Sequence, residues 1–419
     1  MRTAFTKTAS IYSVGIVLMV VLMAGIPSGA LAADTVKIGL LDPLSGIFES
    51  LGRTWLTAVQ FAVDEQNAKG GLLGKQIEII AEDDEGKPDV ATRKAKKLIL
   101  EQKVNFLTSG FGSHIAIALN QVATTSKTLY INYAAMTDSI QGKAFSPYSF
   151  RVCMNQYNTF AALALWMAQK PYRKFYGVYP DYVAGHGMAQ GFAQQLKAHV
   201  PDAEIVGIDF TPLGTKDFGP YITKIIAAKP DAIVGGIFST DLINLIKQAR
   251  AMGLKAPFPI LAPLGIHPYI INELKDDAVG LHFTHQYSLR VKTPENEDLI
   301  RRFHAVHKND KDFLTWWPFP DSALAILGWQ MTFAAVEKAG SLEPQKFIET
   351  FEGFQWNSPV GLYTMRPCDH QVIVPMYAGI VEAGPNPFYK FPWTGPDIEQ
   401  FPADQVALPA TPDYNPRCK

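Results

Sequence analysis

Val36-Lys-Ile-Gly-Leu-Leu41, Asp42-Pro-Leu-Ser-Gly46 and the run that follows to Gly71 carry most of the fold information in this 419-residue chain. Val36 to Leu41 has the length and apolar continuity of a strand buried on both faces. It breaks at the turn cluster Asp42 to Gly46. A helical pattern then brings Trp55, Val59, Ala62 and Val63 to one face. Gly70-Gly71 stops that helix, because glycine enters the left-handed region without steric cost. Gln76-Ile-Glu-Ile-Ile80 starts a second strand, which ends at Asp83-Asp84-Glu85-Gly86-Lys87-Pro88. Strand, loop and helix in this order put the loop at the carboxyl end of a parallel sheet, where α/β proteins bind ligands.

The alternation continues outward from there. Helical patterns cover 89–101 and 115–125, with a strand at 104–109 and a glycine-rich loop, Gly110-Phe-Gly-Ser113, between them. A strand at 128–131 leads into Asn132-Tyr-Ala-Ala-Met-Thr137, and Tyr148-Ser-Phe-Arg151 begins a crossover. A second set follows, with strands at 174–179, 204–208 and 232–235 interleaved with helices at 158–169, 187–199, 218–228 and 241–252. Each step is a buried strand covered by an amphipathic helix, which implies parallel sheets. From Pro263 the chain is expected to return to the first lobe, with a strand at 279–284, helices at 296–307, 321–339 and 345–351, and antiparallel strands at 361–365 and 372–377. The proline-rich tail after Gly384 reads as an extended arm on the surface, or as partly disordered, and not as a continuation of a sheet.

The N-terminus reads as a targeting segment. Arg2 and Lys7 are its positive region, Ile11 to Ile26 its apolar stretch, and Ala30-Leu-Ala32 its cleavage site. The stretch ends in Pro27 and is short for a membrane span, which needs about 20 residues. No cysteine follows it, which argues against a lipid anchor. A periplasmic protein released by cleavage after Ala32 is the expectation. Removing Arg2 and Lys7 takes the formal charge from −1 to −3. No basic block exists, so nucleic acid is excluded as a partner. Cys153, Cys368 and Cys418 are too few for a disulfide scaffold. An oxidising compartment permits one bridge, with Cys153–Cys368 the expected pair. Three thiols without a role is the other reading.

Lys37-Ile-Gly39, Pro43-Leu-Ser-Gly46, Asn67-Ala-Lys-Gly-Gly-Leu-Leu-Gly-Lys75 and Asp83-Asp84 together resemble the opening of the leucine/isoleucine/valine-binding proteins. These are type I periplasmic solute-binding proteins of ABC transporters, and the similarity runs to about Val381. The resemblance implies an α/β fold of two Rossmann-like lobes with mainly parallel sheets, joined by three hinge segments. The hinges are expected near Phe150-Arg151, Ala262-Pro263 and Val372-Ile373. The expected division is residues 1–32 as signal peptide, 34–150 with 263–372 as lobe I, 151–262 with 373–384 as lobe II, and 385–419 as the arm.

Ser113 opens a helix, where free amides and the helix dipole favour an anion. Its spacing matches the family's carboxylate-binding serine, although a plain N-cap serine is the commoner meaning of such a residue. Ala134 and Ala135 match the family's Ala-Ala-Thr loop at the amino-acid end of the ligand. Met136 stands where threonine belongs, and Thr137 comes one residue later. Either Thr137 substitutes through a shifted loop, or the ligand lacks a standard α-amino group. Asp241 falls at the family's ammonium-pairing acid, one methylene shorter than the usual glutamate, and also reads as part of an ordinary helix start. Leu51 replaces an aromatic pocket wall, and Ala184 the pocket tyrosine, a role Tyr182 could take over. Phe238 lines the cleft or the core.

The phosphate-loop pattern around Gly70 to Gln76 fails at Lys69 and Gln76. No nucleophile elbow occurs, so an exported enzyme is the weakest class. No cofactor is expected. The expected function is the solute-binding subunit of an importer, closing on a branched-chain or related amino acid and partnered by an inner-membrane permease. The alternatives are an aromatic or aliphatic carboxylate or short amide as ligand, or a sensory subunit that signals by the same closure.

Overall fold

A computed structural model describes residues 35–419, Leu264 excepted. The targeting segment read over residues 1–32 lies outside the described residues. The first units alternate as β1 (Val36–Asp42), α1 (Glu49–Ala68), β2 (Ile77–Asp83), α2 (Pro88–Leu100), β3 (Phe106–Ser109), α3 (Ser113–Ser126), β4 (Leu129–Asn132) and β5 (Ser149–Arg151). Their strands form a sheet of order β2-β1-β3-β4-β5, parallel at every pairing. Every residue of β3, β4 and β5 is buried, as a sheet covered on both faces requires. Gly71 closes the turn after α1 with φ 82°, and a Cβ there would lie 2.0 Å from the Lys75 carbonyl oxygen.

The second set comprises α4 (Gln156–Ala168), β6 (Lys174–Pro180), α5 (Val183–His199), β7 (Glu204–Thr211), α6 (Gly219–Ala228), β8 (Ala232–Gly235), α7 (Ser239–Ala251), β9 (Ile260–Leu261), α8 (Pro268–Leu274) and β10 (Leu281–His285). β10 pairs in parallel with β9, so the chain stays with the second sheet through His285. This corrects the return to the first lobe expected at Ala262-Pro263. The strand was legible locally, but its partner is set by distant backbone, with β10 bonded to β9 on one side.

The chain then packs α9 (Pro294–His307) and α10 (Pro320–Ala339) on α1. Phe61 meets Phe303 at 5.0 Å, and Glu65 pairs with Arg302 and with Gln330. α11 (Pro344–Phe351) and a small antiparallel sheet, β11 (Gln355–Ser358), β12 (Gly361–Met365) and β13 (Val372–Ile373), complete this half. Phe106 of β3 stacks edge-on against Trp329 and Phe347, which seals the first core. The strand expected over 372–377 is split at Val374-Pro375, because β14 (Met376–Glu382) joins the second sheet beside β10.

The tail is more ordered than expected. β15 (Trp393–Thr394) and β16 (Glu399–Phe401) pair antiparallel with β14, and α12 (Ala403–Val406) follows. Pro392, Pro396 and Pro402 stand just outside these short ladders, where a missing N–H costs nothing. The second sheet therefore runs β15-β14-β10-β9-β8-β6-β7, with β16 also on β14. The disulfide is Cys368–Cys418, and Cys153 is a free buried thiol. The expected Cys153–Cys368 pairing fails because the tail returns to the first half and brings Cys418 to Cys368. Tyr414 Oη donates to Asp138 O at 2.9 Å, and Asn415 Nδ2 to Gln141 O at 2.8 Å.

The chain crosses between the halves after Arg151, after His285 and after Ile373. Two buried glutamines pin these crossings. Gln371 Nε2 donates to the carbonyls of Cys153 (2.8 Å) and Val372 (2.7 Å), and its Oε1 accepts from Arg151 Nε. Gln286 Oε1 accepts the Met154 amide, and its Nε2 donates to Tyr363 Oη at 3.3 Å. Among the described residues no helix is long and apolar enough to cross a membrane.

Candidate functional site

The loops at the carboxyl ends of β1, β3 and β4 stand together as a first wall at that edge of the first sheet. Gly112, with φ 67°, holds the N-cap position of α3, so Ser113 is the first helical residue and not the cap. The first intrahelical bond runs from the Ala116 amide to Gly112 O at 3.1 Å. The amides of Ser113, His114 and Ile115 therefore precede the helical ladder. Among the described residues the Ser113 hydroxyl makes no hydrogen bond. The rings of Phe111 and Phe48 meet at 4.5 Å in a tilted pair, and His114 Nε2 lies 3.2 Å from Gly86 O.

The second loop is braced from inside. Asn132 Oδ1 accepts the Ala134 and Ala135 amides at 3.2 and 2.9 Å, and its Nδ2 donates to Ala135 O at 2.8 Å. Those two amides are spent within the loop. Met136 is half-buried against the core, and its carbonyl accepts the Gln156 amide at 3.2 Å. The Thr137 hydroxyl pairs with Ser139 at 3.0 Å, while its carbonyl accepts from the fully buried Arg151. Leu51, in the first turns of α1, packs on the same core.

Helix heads at the carboxyl ends of the second sheet form a second wall. Tyr182 is the N-cap residue of α5 and is 36% exposed. Phe238 holds the same position on α7 and is half-buried. Asp241 lies in the first turn of α7, but its Oδ2 accepts the Gly214 amide at 2.9 Å. Burial raises its pKa, and the amides of Gly214 and Thr215 oppose that. The carboxylate is thus turned toward the loop after β7.

The two walls meet at residues that the sequence reading did not select. His267 caps α8, and its ring lies 4.6 Å from Phe319, the N-cap residue of α10. His267 Nε2 is 4.0 Å from Asp321 Oδ2. Neither ring nitrogen of His267 is hydrogen-bonded, and burial pushes its pKa down to about 3. Burial pushes the Asp321 carboxyl up to about 7. Tyr269 reaches the Ser239 side chain at the head of α7. One signal for this cluster was present in the chain: His267-Pro268 and Phe319-Pro320 are both proline-started helix heads with an aromatic cap. Trp317 stacks on His304 at 3.8 Å and touches Phe388, so the Trp316-Trp317 pair serves packing.

The head of α3 thus offers amides ahead of the helical ladder and an unpartnered hydroxyl, beside the rings of Phe48 and Phe111. Comparison with known proteins gives the family. A family model described as periplasmic binding protein matches residues 35–385. The Leu/Ile/Val-binding protein homolog 4 of Brucella melitensis is 26% identical over 384 residues, covering 86% of this chain and 89% of the relative. The leucine-, isoleucine-, valine-, threonine- and alanine-binding protein of Pseudomonas aeruginosa is 26% identical over 346 residues, covering 81% and 88%. A solute-binding protein of an ABC transporter from Rhodopseudomonas palustris, solved with 3,4-dihydroxybenzoic acid, is 26% identical with a TM-score of 0.76, covering 88% of this chain and 98% of that one. Two lobes, parallel sheets and a family match over most of the length give one conclusion: the chain belongs to the periplasmic binding proteins, as a type I ABC-transporter substrate-binding protein of the leucine/isoleucine/valine-binding family.

Proposed function

We propose that this chain captures a small carboxylate-bearing solute between its lobes and presents it, closed in, to an inner-membrane permease. The head of α3 carries this reading. Three amides ahead of the helical ladder and the free Ser113 hydroxyl offer donors to an anion without needing an arginine. Ligand contacts from both walls would favour the closed state, and closure would remove the solute from water.

Two ligand classes compete. An amino acid of the branched-chain type has the support of the names of the Brucella and Pseudomonas relatives. An aromatic or aliphatic acid, or a short amide, has the support of two local features. Asp241 is one methylene shorter than the family's glutamate and its Oδ2 already accepts the Gly214 amide, and Met136 stands in place of a hydroxyl. The Rhodopseudomonas relative, solved with a dihydroxybenzoate, is consistent with that second class. An acid without an α-ammonium group is the better fit.

A thermal-shift panel decides between them, followed by calorimetry on every hit. It would contain L-leucine, L-valine, benzoate, 4-hydroxybenzoate, 3,4-dihydroxybenzoate and propionamide. The expected result is a larger shift with the aromatic acids than with either amino acid. A larger shift with leucine would restore the amino-acid reading. No shift with any carboxylate would sink the assignment of the α3 head.

A further inference from the structure

β1 ends at Asp42, whose side chain is completely buried among the loops of the first wall. Its Oδ1 accepts two backbone amides, Gly110 at 2.9 Å and Phe111 at 3.0 Å. Its Oδ2 accepts the Tyr133 hydroxyl. Gly110 and Phe111 lead into the head of α3, and Tyr133 opens the loop that continues through Ala134, Ala135 and Met136. One carboxyl group thus joins the two loops, which otherwise belong to separate strands.

We propose that Asp42 is the positioning residue of the binding site: it holds the Gly110–Ser113 loop and the Tyr133–Met136 loop in register with each other. This rests on the carboxylate-capture reading above and adds the residue that would set its geometry. By taking the Gly110 and Phe111 amides, Asp42 leaves the later ones, Ser113 to Ile115, as the donors at the head of the helix. The loop has no space to rearrange, since a Cβ on Gly110 would lie 2.3 Å from the Tyr133 ring and 3.0 Å from Trp55. The ring of Trp55, from α1, packs edge-on 6.1 Å from that of Tyr133. Asp83 does similar work one strand away, where its Oδ1 accepts the Leu44 amide at 2.9 Å. Burial drives the Asp42 pKa up to about 7 against its three hydrogen bonds, with Asp84 adding to the rise. The group is therefore poised between a carboxylate and a neutral acid, and either form keeps one oxygen for the two amides.

Three variants of the full mature chain test this by hydrogen-exchange mass spectrometry without ligand. Asp42→Ala should speed exchange in peptides spanning 106–116 and 130–140 and leave the second sheet unchanged. Asp42→Asn should restore protection, because its amide oxygen still accepts from Gly110 and Phe111 and its NH2 can donate to Tyr133 Oη. Tyr133→Phe should loosen only 130–140. Should Asp42→Ala not fold, the other two still decide. Uniform acceleration across the molecule, no acceleration in either loop, or an Asn variant that fails to fold or exchanges like the Ala variant would overturn the proposal. Binding of 4-hydroxybenzoate and L-leucine supplies a second readout, with affinity expected to fall about tenfold or more in Asp42→Ala and to recover in Asp42→Asn. If the wild-type protein binds neither probe, the carboxylate-capture reading fails, while the exchange pattern still accepts or rejects Asp42 as the link between the loops.

Discussion

At the residue scale, Ser113 and Asp321 behave as opposites. Ser113 is polar, half-buried and free, so its hydroxyl is a donor waiting for an acceptor. Ser113→Ala should weaken binding of a carboxylate ligand by about 1–3 kcal/mol, the cost of leaving a charged oxygen short of a donor. Calorimetry giving unchanged affinity would remove Ser113 from the site. Asp321 is an acid held where its charge is unwelcome, with its pKa raised by burial from 3.8 to about 7. Between those values the folded state binds more protons than the unfolded one, so this group's contribution to stability falls as pH rises through that window. His267 works the other way, because its pKa is lowered from 6.5 to about 3 and the unfolded chain takes up the proton first as pH falls. The two partly cancel in the wild-type protein. Asp321→Asn should uncover the imbalance, matching wild type below about pH 4 and becoming the more stable protein above pH 7. Melting temperatures measured from pH 4 to 8 would check this, and a constant difference across the range would contradict it.

At the element scale, strands and helices were legible because each unit buries one local pattern. Val36 to Leu41 and the stripe Trp55, Val59, Ala62 and Val63 needed no distant information, and all but Lys37 are buried as read. Partners were not legible. The strand at 279–284 was visible as apolar sequence, yet nothing local says that β9 and β14 would enclose it. The same holds for the site. The helix-opening place of Ser113 could be read from its own loop, whereas Asp42, His267 and Asp321 make contacts with residues 54 to 91 positions away. Asp241 was read from its position in the chain as a ligand-pairing acid or a helix start, and the structure adds a contact that the local sequence did not announce, the Gly214 amide on its Oδ2. The crossings make the point in energy. Gln371→Leu would leave Arg151 Nε and the Cys153 carbonyl without their partners in a fully buried place. Urea unfolding should show a loss of about 2–5 kcal/mol. A midpoint equal to wild type would mean that the crossings are held by packing alone.

At the scale of the whole molecule, the tail is a fourth connection between the halves. It leaves the second sheet at β16, and the Val406 carbonyl accepts Asn158 Nδ2 at 2.7 Å. It then reaches the first half, where Arg366 Nη1 donates to Leu408 O at 2.6 Å and Arg417 Nη2 to Glu352 at 2.7 Å. The Cys368–Cys418 bridge fastens its end. These anchors stand beside Arg151, His370 and Gln371 at the crossings between the halves, where the proposed closing movement would change distances least. The bridge should therefore act mainly on stability, by restricting the unfolded chain over its 50-residue separation. Cys418→Ser should lower unfolding free energy by about 2–4 kcal/mol under oxidising conditions. Wild type treated with reductant should fall to the same melting temperature, and reductant should leave the variant unchanged, because Cys368 has then lost its partner and Cys153 is a buried thiol outside any bridge. Affinity for whichever solute the panel identifies should stay within about twofold, since every group at the α3 head is untouched. A large loss of affinity with little loss of stability would reverse this assignment and make the arm part of the closing movement itself.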